Sequence, residues 1–349
     1  MFRKVLYGKN IYFDVTNKAN KISSENNFII VNNENFSDPE KDVRKELILH
    51  FQNGTYQIFN EGECVLFNRD LKFPSQISSE YTPRIAYITA IYGTYESSCK
   101  KPCEQSIPSD FICFTNCIKP ENANGWIIDK TQYHLSHNIL SDQNEDLRNS
   151  MKNNTHTFNV AKFYKQNFHR IPILQKYDIV IWLDGTVQIL HPRTSEYIYF
   201  LIKQNHNLIT FEHMREGKLE EEVAASHFDR YTSTFWFDQY QPYQDIDEQY
   251  NFYLQDGFNQ DLWKDIEPDR KEYGLWVTCF LAFDMKNQET IKFLDEWYLQ
   301  TLRYTTQDQI GFPYVCQKLE IYPYSLPDDI IKGDGHSITD LYLKHQHGK

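Results

Sequence analysis

No window of this 349-residue chain approaches the roughly 20 apolar residues that a bilayer-spanning helix needs. The opening run MFRKVLYGKN also lacks the apolar core of a secretory signal. A soluble, cytoplasmic protein without a transmembrane segment is therefore expected. Nor is there a stripe of lysine and arginine: 36 basic against 48 acidic residues leave a formal charge of −12. Proteins that hold nucleic acid draw affinity from neutralising phosphates with basic side chains, so no nucleic-acid partner is expected, and no anionic membrane surface. A small phosphorylated ligand in a locally basic pocket stays compatible with that charge. The seven cysteines include no tight C-x2-C knuckle. Cys99/Cys103 and Cys113/Cys117 are spaced C-x3-C, the second pair in a strand-like run, which favours free thiols over a zinc site. Internal repeats and extended low-complexity tracts are missing as well.

What is present suffices for a large core: 40% hydrophobic residues, with 24 Tyr and 24 Phe. The aromatics come with abundant Asn, Lys and Ile, as an AT-rich coding sequence of a virus or low-GC organism would give, and carry no functional reading by themselves. Residues 1–78 contain short strand-like runs, NIYFDV, NNFIIVNN and ELILHFQNGTYQIF, and Asn53-Gly54 between two alternating runs is a hairpin signal. A small antiparallel β module of unknown role is expected there. From residue 79 to about 330 the pattern becomes strand, linker helix, strand: RIAYITAIYG, SDFICFTNC, YDIVIWLDGT, LITFEH and GLWVTCFLAFD alternate with helical spacing. That alternation implies an α/β domain with a mainly parallel sheet. In FNVAKFYKQNFH, Val160, Phe163, Tyr164 and Phe168 share one helical face and Lys162, Lys165 and His169 another. A polar stretch over 136–157 reads as a loop or lid, and the Gly- and His-rich residues 331–349 as a mobile tail.

The stretch YDIVIWLDGTVQI, residues 177–189, delivers Asp184 to a turn at the end of a buried strand, where open α/β sheets bind ligands. Three readings compete. A phosphatase of the Asp-x-Asp-Gly-Thr type is excluded, because Trp182 stands where the nucleophilic carboxylate must be. A nucleotide-sugar transferase would use Asp184 to grip Mn²⁺ or Mg²⁺ on the donor diphosphate, although two Asp residues are usual and only one is present. The third reading is a turn Asp that merely caps backbone amides.

Three ordered motifs carry a resemblance. KFYKQNFHRIPILQKYDIVIWLDGTVQI, TFEHMREGKLEEEVAAS and FLDEWYLQTLRYTTQDQIGFPYV resemble, in order and spacing over roughly residues 84–325, the glycosyltransferase-like domain of plant turgor-regulation and mucilage-related proteins. That family also occurs in bacteria and large viruses. The resemblance implies a GT-A type, Rossmann-like fold, a nucleotide-diphosphosugar donor and a glycan or other hydroxyl acceptor. Asp184 would then anchor the donor or its Mn²⁺ or Mg²⁺, with Gly185 allowing close backbone approach. Lys162, Lys165 and His169 would face the diphosphate; His213 and Arg215 would also bind the donor, Arg215 through bidentate phosphate or carboxylate contacts and His213 as a ligand. Tyr92, Gly93 and Tyr95 would lie by the nucleotide. Asp308 would be the catalytic base, with Gln309 orienting hydroxyls, and at most one of Glu220, Glu221 and Glu222 would reach the site. A catalytically silent carbohydrate- or nucleotide-binding module is the alternative from another class, motivated by the single Asp.

Overall fold

The computed structural model describes residues 2–25, 28–50, 56–62, 64–66, 82–93, 96–136, 157–213, 218–227, 235–236, 239–240, 244–266, 274–326 and 341–345. The chain divides into two compact units, Met1–Gln76 and Ile77–Lys349.

The first unit runs β1 (Lys4–Gly8), β2 (Tyr12–Asp14), α1 (Thr16–Glu25), β3 (Phe28–Ile30), α2 (Asn33–Phe36), β4 (Glu46–His50), β5 (Tyr56–Asn60) and β6 (Cys64–Leu66). Four strands form an antiparallel sheet in the order β2-β1-β4-β5. Alternation in ELILH turns Leu47 and Leu49 inward against Val5, Tyr7, Ala19 and Phe36, a small core of its own. At the β1–β2 turn a Cβ on Gly8 would sit 1.9 Å from the Ile11 carbonyl oxygen, so only glycine fits. The expected hairpin is the β4–β5 ladder, with His50 opposite Tyr56; Asn53-Gly54 itself lies outside the described residues. Helix α1 departs from the expected all-β module. Its sequence, TNKANKISSE, is mostly polar; Ala19 and Ile22 pack on the small core, and polar ties add to them, with Phe2 N–H donating to Asn20 Oδ1 at 2.7 Å and Val5 N–H to Thr16 Oγ1 at 2.8 Å.

The second unit continues with β7 (Ile85–Ile91), β8 (Ser109–Thr115), β9 (Ile127–Asp129), α3 (Tyr133–Ser136), α4 (Thr157–Gln166), β10 (Ile179–Leu183) and β11 (Val187–Ile189). After these come α5 (Thr194–Lys203), β12 (Leu208–Glu212), α6 (Leu219–Ser226), β13 (Phe235–Trp236), β14 (Gln239–Tyr240), α7 (Ile246–Gln255) and α8 (Leu262–Ile266). The last are β15 (Trp276–Asp284), α9 (Gln288–Arg303), α10 (Asp308–Leu319), β16 (Tyr324–Leu326) and β17 (Tyr342–Lys344). Seven strands make one sheet in the order β16-β12-β15-β10-β7-β8-β9, parallel throughout except that β15 runs against both neighbours. The expected α/β class, a mostly parallel sheet flanked by helices plus a small antiparallel sheet, is the one adopted. Strands β7 and β10 are buried at every position, as a sheet covered on both faces requires.

Helix α4 lays Val160, Phe163 and Tyr164 on the core with Ala86, Ile88 and Ala90 of β7, and packs against α9. The 331–349 segment, expected as a mobile tail, contains β17. Its strand pairs antiparallel with β11, Lys344 opposite Val187, and buries Tyr342 against Phe211 and Phe280. The apolar run LYL inside an otherwise polar tail is what seats it.

Candidate functional site

The carboxyl ends of β7, β10 and β12 and the amino end of β15 meet along one edge of the large sheet. This edge carries Gly93, Asp184, His213 and Thr278. Asp184 follows the last residue of β10. Its N–H is tied to the Cys279 carbonyl at 2.9 Å, and its own carbonyl accepts from Val187 N–H at 2.8 Å, which fixes the Asp-Gly-Thr turn. Gly185 is there for space: a Cβ would meet Ile91 Cγ1 at 3.0 Å and Glu96 Cγ at 3.4 Å. The close approach expected of Gly185 is thus to neighbouring side chains.

Helix α4 brings two lysines to this turn, and α10 brings Asp308 between them. Lys162 Nζ lies 2.8 Å from Asp308 Oδ1 and Lys165 Nζ 2.5 Å from Asp308 Oδ2. Lys165 Nζ also reaches Asp184 Oδ1 at 3.4 Å and donates to Thr278 Oγ1 at 3.1 Å. Trp182 Nε1 donates to the same Asp184 oxygen at 2.8 Å, and the indoles of Trp182 and Trp297 flank the Lys165 ammonium at 5.7 and 5.8 Å. Trp297 Nε1 donates to the Asp308 carbonyl at 3.0 Å, which locks the start of α10. Side-chain exposure grades the cluster: 2% for Lys165, 4% for Asp308, 14% for Lys162 and 36% for Asp184. Asp184 and Lys162 are its solvent-facing members.

Burial alone would raise the Asp184 carboxyl, but the ammonium groups of Lys165, Lys344 and Lys162 and the Trp182 N–H outweigh it and hold the group well below the usual carboxylate range. Asp308 is likewise held low by Lys162 and Lys165 against its burial. Lys165 is raised, because Asp184 and Asp308 overcome the cost of burying its charge. For Lys162 burial wins: with repulsion from Lys165 it pulls the ammonium down to about 8 despite Asp308. The four groups bring two positive and two negative charges together, with Lys165 and Asp308 buried and Lys162 and Asp184 toward solvent.

The remaining expected residues divide. His169 Nε2 lies 2.8 Å from Asp295 Oδ1, which Arg170 also holds at 2.7 Å, so His169 is engaged with α9. Tyr92 is 5% exposed and stacks on Tyr164 at 5.5 Å inside the apolar cluster, not at the surface. Gly93 takes φ +74 and donates its N–H to Asn116 Oδ1 at 3.2 Å. His213 is buried at the end of β12, with its N–H on the Leu275 carbonyl. Tyr95 and Arg215 lie outside the described residues. Gln309 Nε2 donates to Glu222 Oε1 at 3.0 Å, and Gln307 Nε2 to the same oxygen at 2.7 Å. Glu222 is therefore the buried member of the Glu220–Glu222 run, and it ties α6 to the start of α10. Thr278, Trp182 and Lys344 escaped the sequence reading as contributors. A positional signal existed for Trp182 alone, two residues before Asp184 on the same strand face.

Asp308, the expected base, is 4% exposed and stands between two ammonium groups that hold its carboxyl low, a geometry that anchors the lysines. The residues do not fit the expected Mn²⁺ or Mg²⁺. A hard cation wants several oxygen ligands with open lone pairs. Here Asp184 Oδ1 accepts from Trp182 and faces Lys165, and both Asp308 oxygens face ammonium groups. The indole of Trp182 supplies a donor only. Among the described residues no cluster of three or more His, Cys, Asp or Glu side chains could hold a metal, and no helix is long and apolar enough to cross a membrane.

No curated protein matches the chain. Among solved structures, similar folds include core-mannan synthase A of Aspergillus fumigatus in its Mn/GDP form, at 12% identity and a TM-score of 0.35, covering 70% of this chain and 72% of that one. Mouse xyloside xylosyltransferase 1 in apo form matches at 8% identity and 0.33, covering 70% and 84%. The bifunctional glycosyltransferase WbbM matches at 13% and 0.34, covering 73% of this chain but only 41% of its own. One family's sequence pattern, that of the TOD1/MUCI70 glycosyltransferase-like domain, matches residues 79–327.

Proposed function

The chain belongs to the TOD1/MUCI70 glycosyltransferase-like domain family, and from that premise we propose that it moves a sugar from a nucleotide-diphosphosugar to a hydroxyl of a glycan or other acceptor. The observation that carries this reading is the Lys162–Asp308–Lys165–Asp184 cluster at the carboxyl edge of the sheet. In sugar transfer the bond from the anomeric carbon to the diphosphate oxygen breaks, and a bond to the acceptor oxygen forms. Negative charge then grows on the departing nucleoside diphosphate. Fixed cations stabilise that charge without having to reorganise. Asp184, the one carboxylate of the cluster reaching solvent, is assigned to a donor hydroxyl. Gly93 and His213 border the same edge and are assigned to the nucleotide. Tyr92, His169 and Gln309 are assigned to holding the frame, given the partners they keep, and Asp308 to positioning the lysines.

The test supplies UDP- and GDP-sugars with oligosaccharide acceptors and follows nucleoside diphosphate release. Wild type is expected to release it, and Asp184→Asn to do so roughly a hundredfold more slowly. Binding of nucleotide sugars with no release under any acceptor supports the silent binding module instead. No binding of any nucleotide sugar removes the proposal.

A further inference from the structure

We infer that lysine ammonium groups hold the donor diphosphate, with Lys165 standing between the carboxylates where a divalent cation would otherwise stand, so that donor binding needs no metal. This rests on the donor assignment above and deepens it.

Lys165 Nζ is within 3.4 Å of Asp184, 2.5 Å of Asp308 and 3.1 Å of Thr278 Oγ1. It thus bridges two carboxylates and a hydroxyl as a bound cation does, and its three N–H groups have three oxygens around them. Being 2% exposed and flanked by two indoles, it is a permanent part of the framework. Lys162 differs. Its single partner among the described residues is Asp308 at 2.8 Å, and it keeps 14% exposure. Two of its N–H groups are therefore available to anionic oxygens arriving from solvent.

A third positive charge comes from the far end of the sequence. Strand β17 pairs with β11 so that Lys344 stands opposite Val187, whose N–H closes the turn on the Asp184 carbonyl at 2.8 Å. The Lys344 ammonium acts on Asp184 together with those of Lys165 and Lys162, and positive charge gathered at this turn favours an incoming diphosphate over an incoming divalent cation. Trp182, two places before Asp184, puts an N–H donor on Asp184 Oδ1 where a second carboxylate would supply a metal ligand.

The experiment measures binding of UDP and of GDP to the full chain by calorimetry, after EDTA treatment and again with added Mn²⁺. The expected result is the same affinity in both conditions for the nucleotide that binds. In Lys162→Ala, affinity is expected to fall roughly ten- to a hundredfold, the worth of one charge-assisted hydrogen bond. The melting temperature of each variant is recorded alongside, so that a misfolded Lys162→Ala is recognised; the EDTA comparison on wild type needs no variant. Loss of binding in EDTA with recovery in Mn²⁺ overturns the inference and leaves the transferase reading standing. Failure of both nucleotides to bind in either condition overturns the two together.

Discussion

Asp308→Asn separates two roles that one residue could play. The substitution keeps shape and removes a charge that lies 2.8 Å from Lys162 and 2.5 Å from Lys165, in a side chain 4% exposed. A pair of unit charges near 4 Å is worth about 4 kcal/mol at an effective dielectric of 20. Removing one partner of a buried pair costs about 3–5 kcal/mol, because the surviving charges stay buried without compensation. For a unit of this size each kcal/mol lowers the melting temperature by roughly 2–4 °C, so a drop of about 6–20 °C is expected. The assay is a thermal melt of both proteins, paired with kinetics that resolve kcat from the donor KM. If Asp308 positions the lysines, the variant melts early and its donor KM rises. Were it the proton acceptor, kcat would collapse while the donor KM held, whatever the melting temperature. That second pattern would refute the assignment made from geometry.

Other outcomes follow from single features. Lys162 carries a pKa brought down to about 8 by burial, so donor affinity should hold below that value and decline above it as the ammonium is lost; a pH series of calorimetric titrations checks this. In ligand-free protein the sign reverses. The folded value lies below the ordinary 10.5, the unfolded chain binds more protons between about 8 and 10.5, and the contribution of Lys162 to stability rises with pH across that window; melts at several pH values on wild type and Lys162→Met isolate it. Gly185→Ala places a methyl 3.0 Å from Ile91 Cγ1, which should cost about 1–3 kcal/mol and lower the melting temperature with no change in nucleotide preference. Tyr342→Ala empties a fully buried ring site between Phe211 and Phe280 and should cost about 3–5 kcal/mol; an unchanged melt would mean β17 is dispensable.

The buried strands and the amphipathic helices were legible because burial writes a period into the sequence. Val160, Phe163 and Tyr164 lie on the core as their spacing implies. The polar face of the same helix was legible as a face, but not in what it meets. Lys162, Lys165 and His169 share a helical stripe on paper. However, α4 ends at Gln166 and His169 sits in a separate 3-10 turn, Phe168–Arg170, so the stripe breaks and His169 turns to Asp295. Lysine pattern alone reads as solvated. Only α10, which lies more than 140 residues further along, reveals that Lys165 is interior. Glu222 shows the same limit: three consecutive glutamates look alike until Gln307 and Gln309 pick one. Helix α1 leaves no periodic trace, since among its described residues only Ala19 and Ile22 meet the core and the rest of its hold is polar, to Phe2 and Val5.

The β11–β17 pairing bears on how the chain is made. His345 and Gln188, hydrogen-bonded at 2.8 Å, are 157 residues apart, so β11 leaves the ribosome long before its partner exists. Until then Val187 and Ile189 present an open strand edge, which invites pairing with the wrong chain. Fragments that stop before β17 should therefore be prone to aggregate during expression, and a label fused close behind Lys344 would sit beside Asp184.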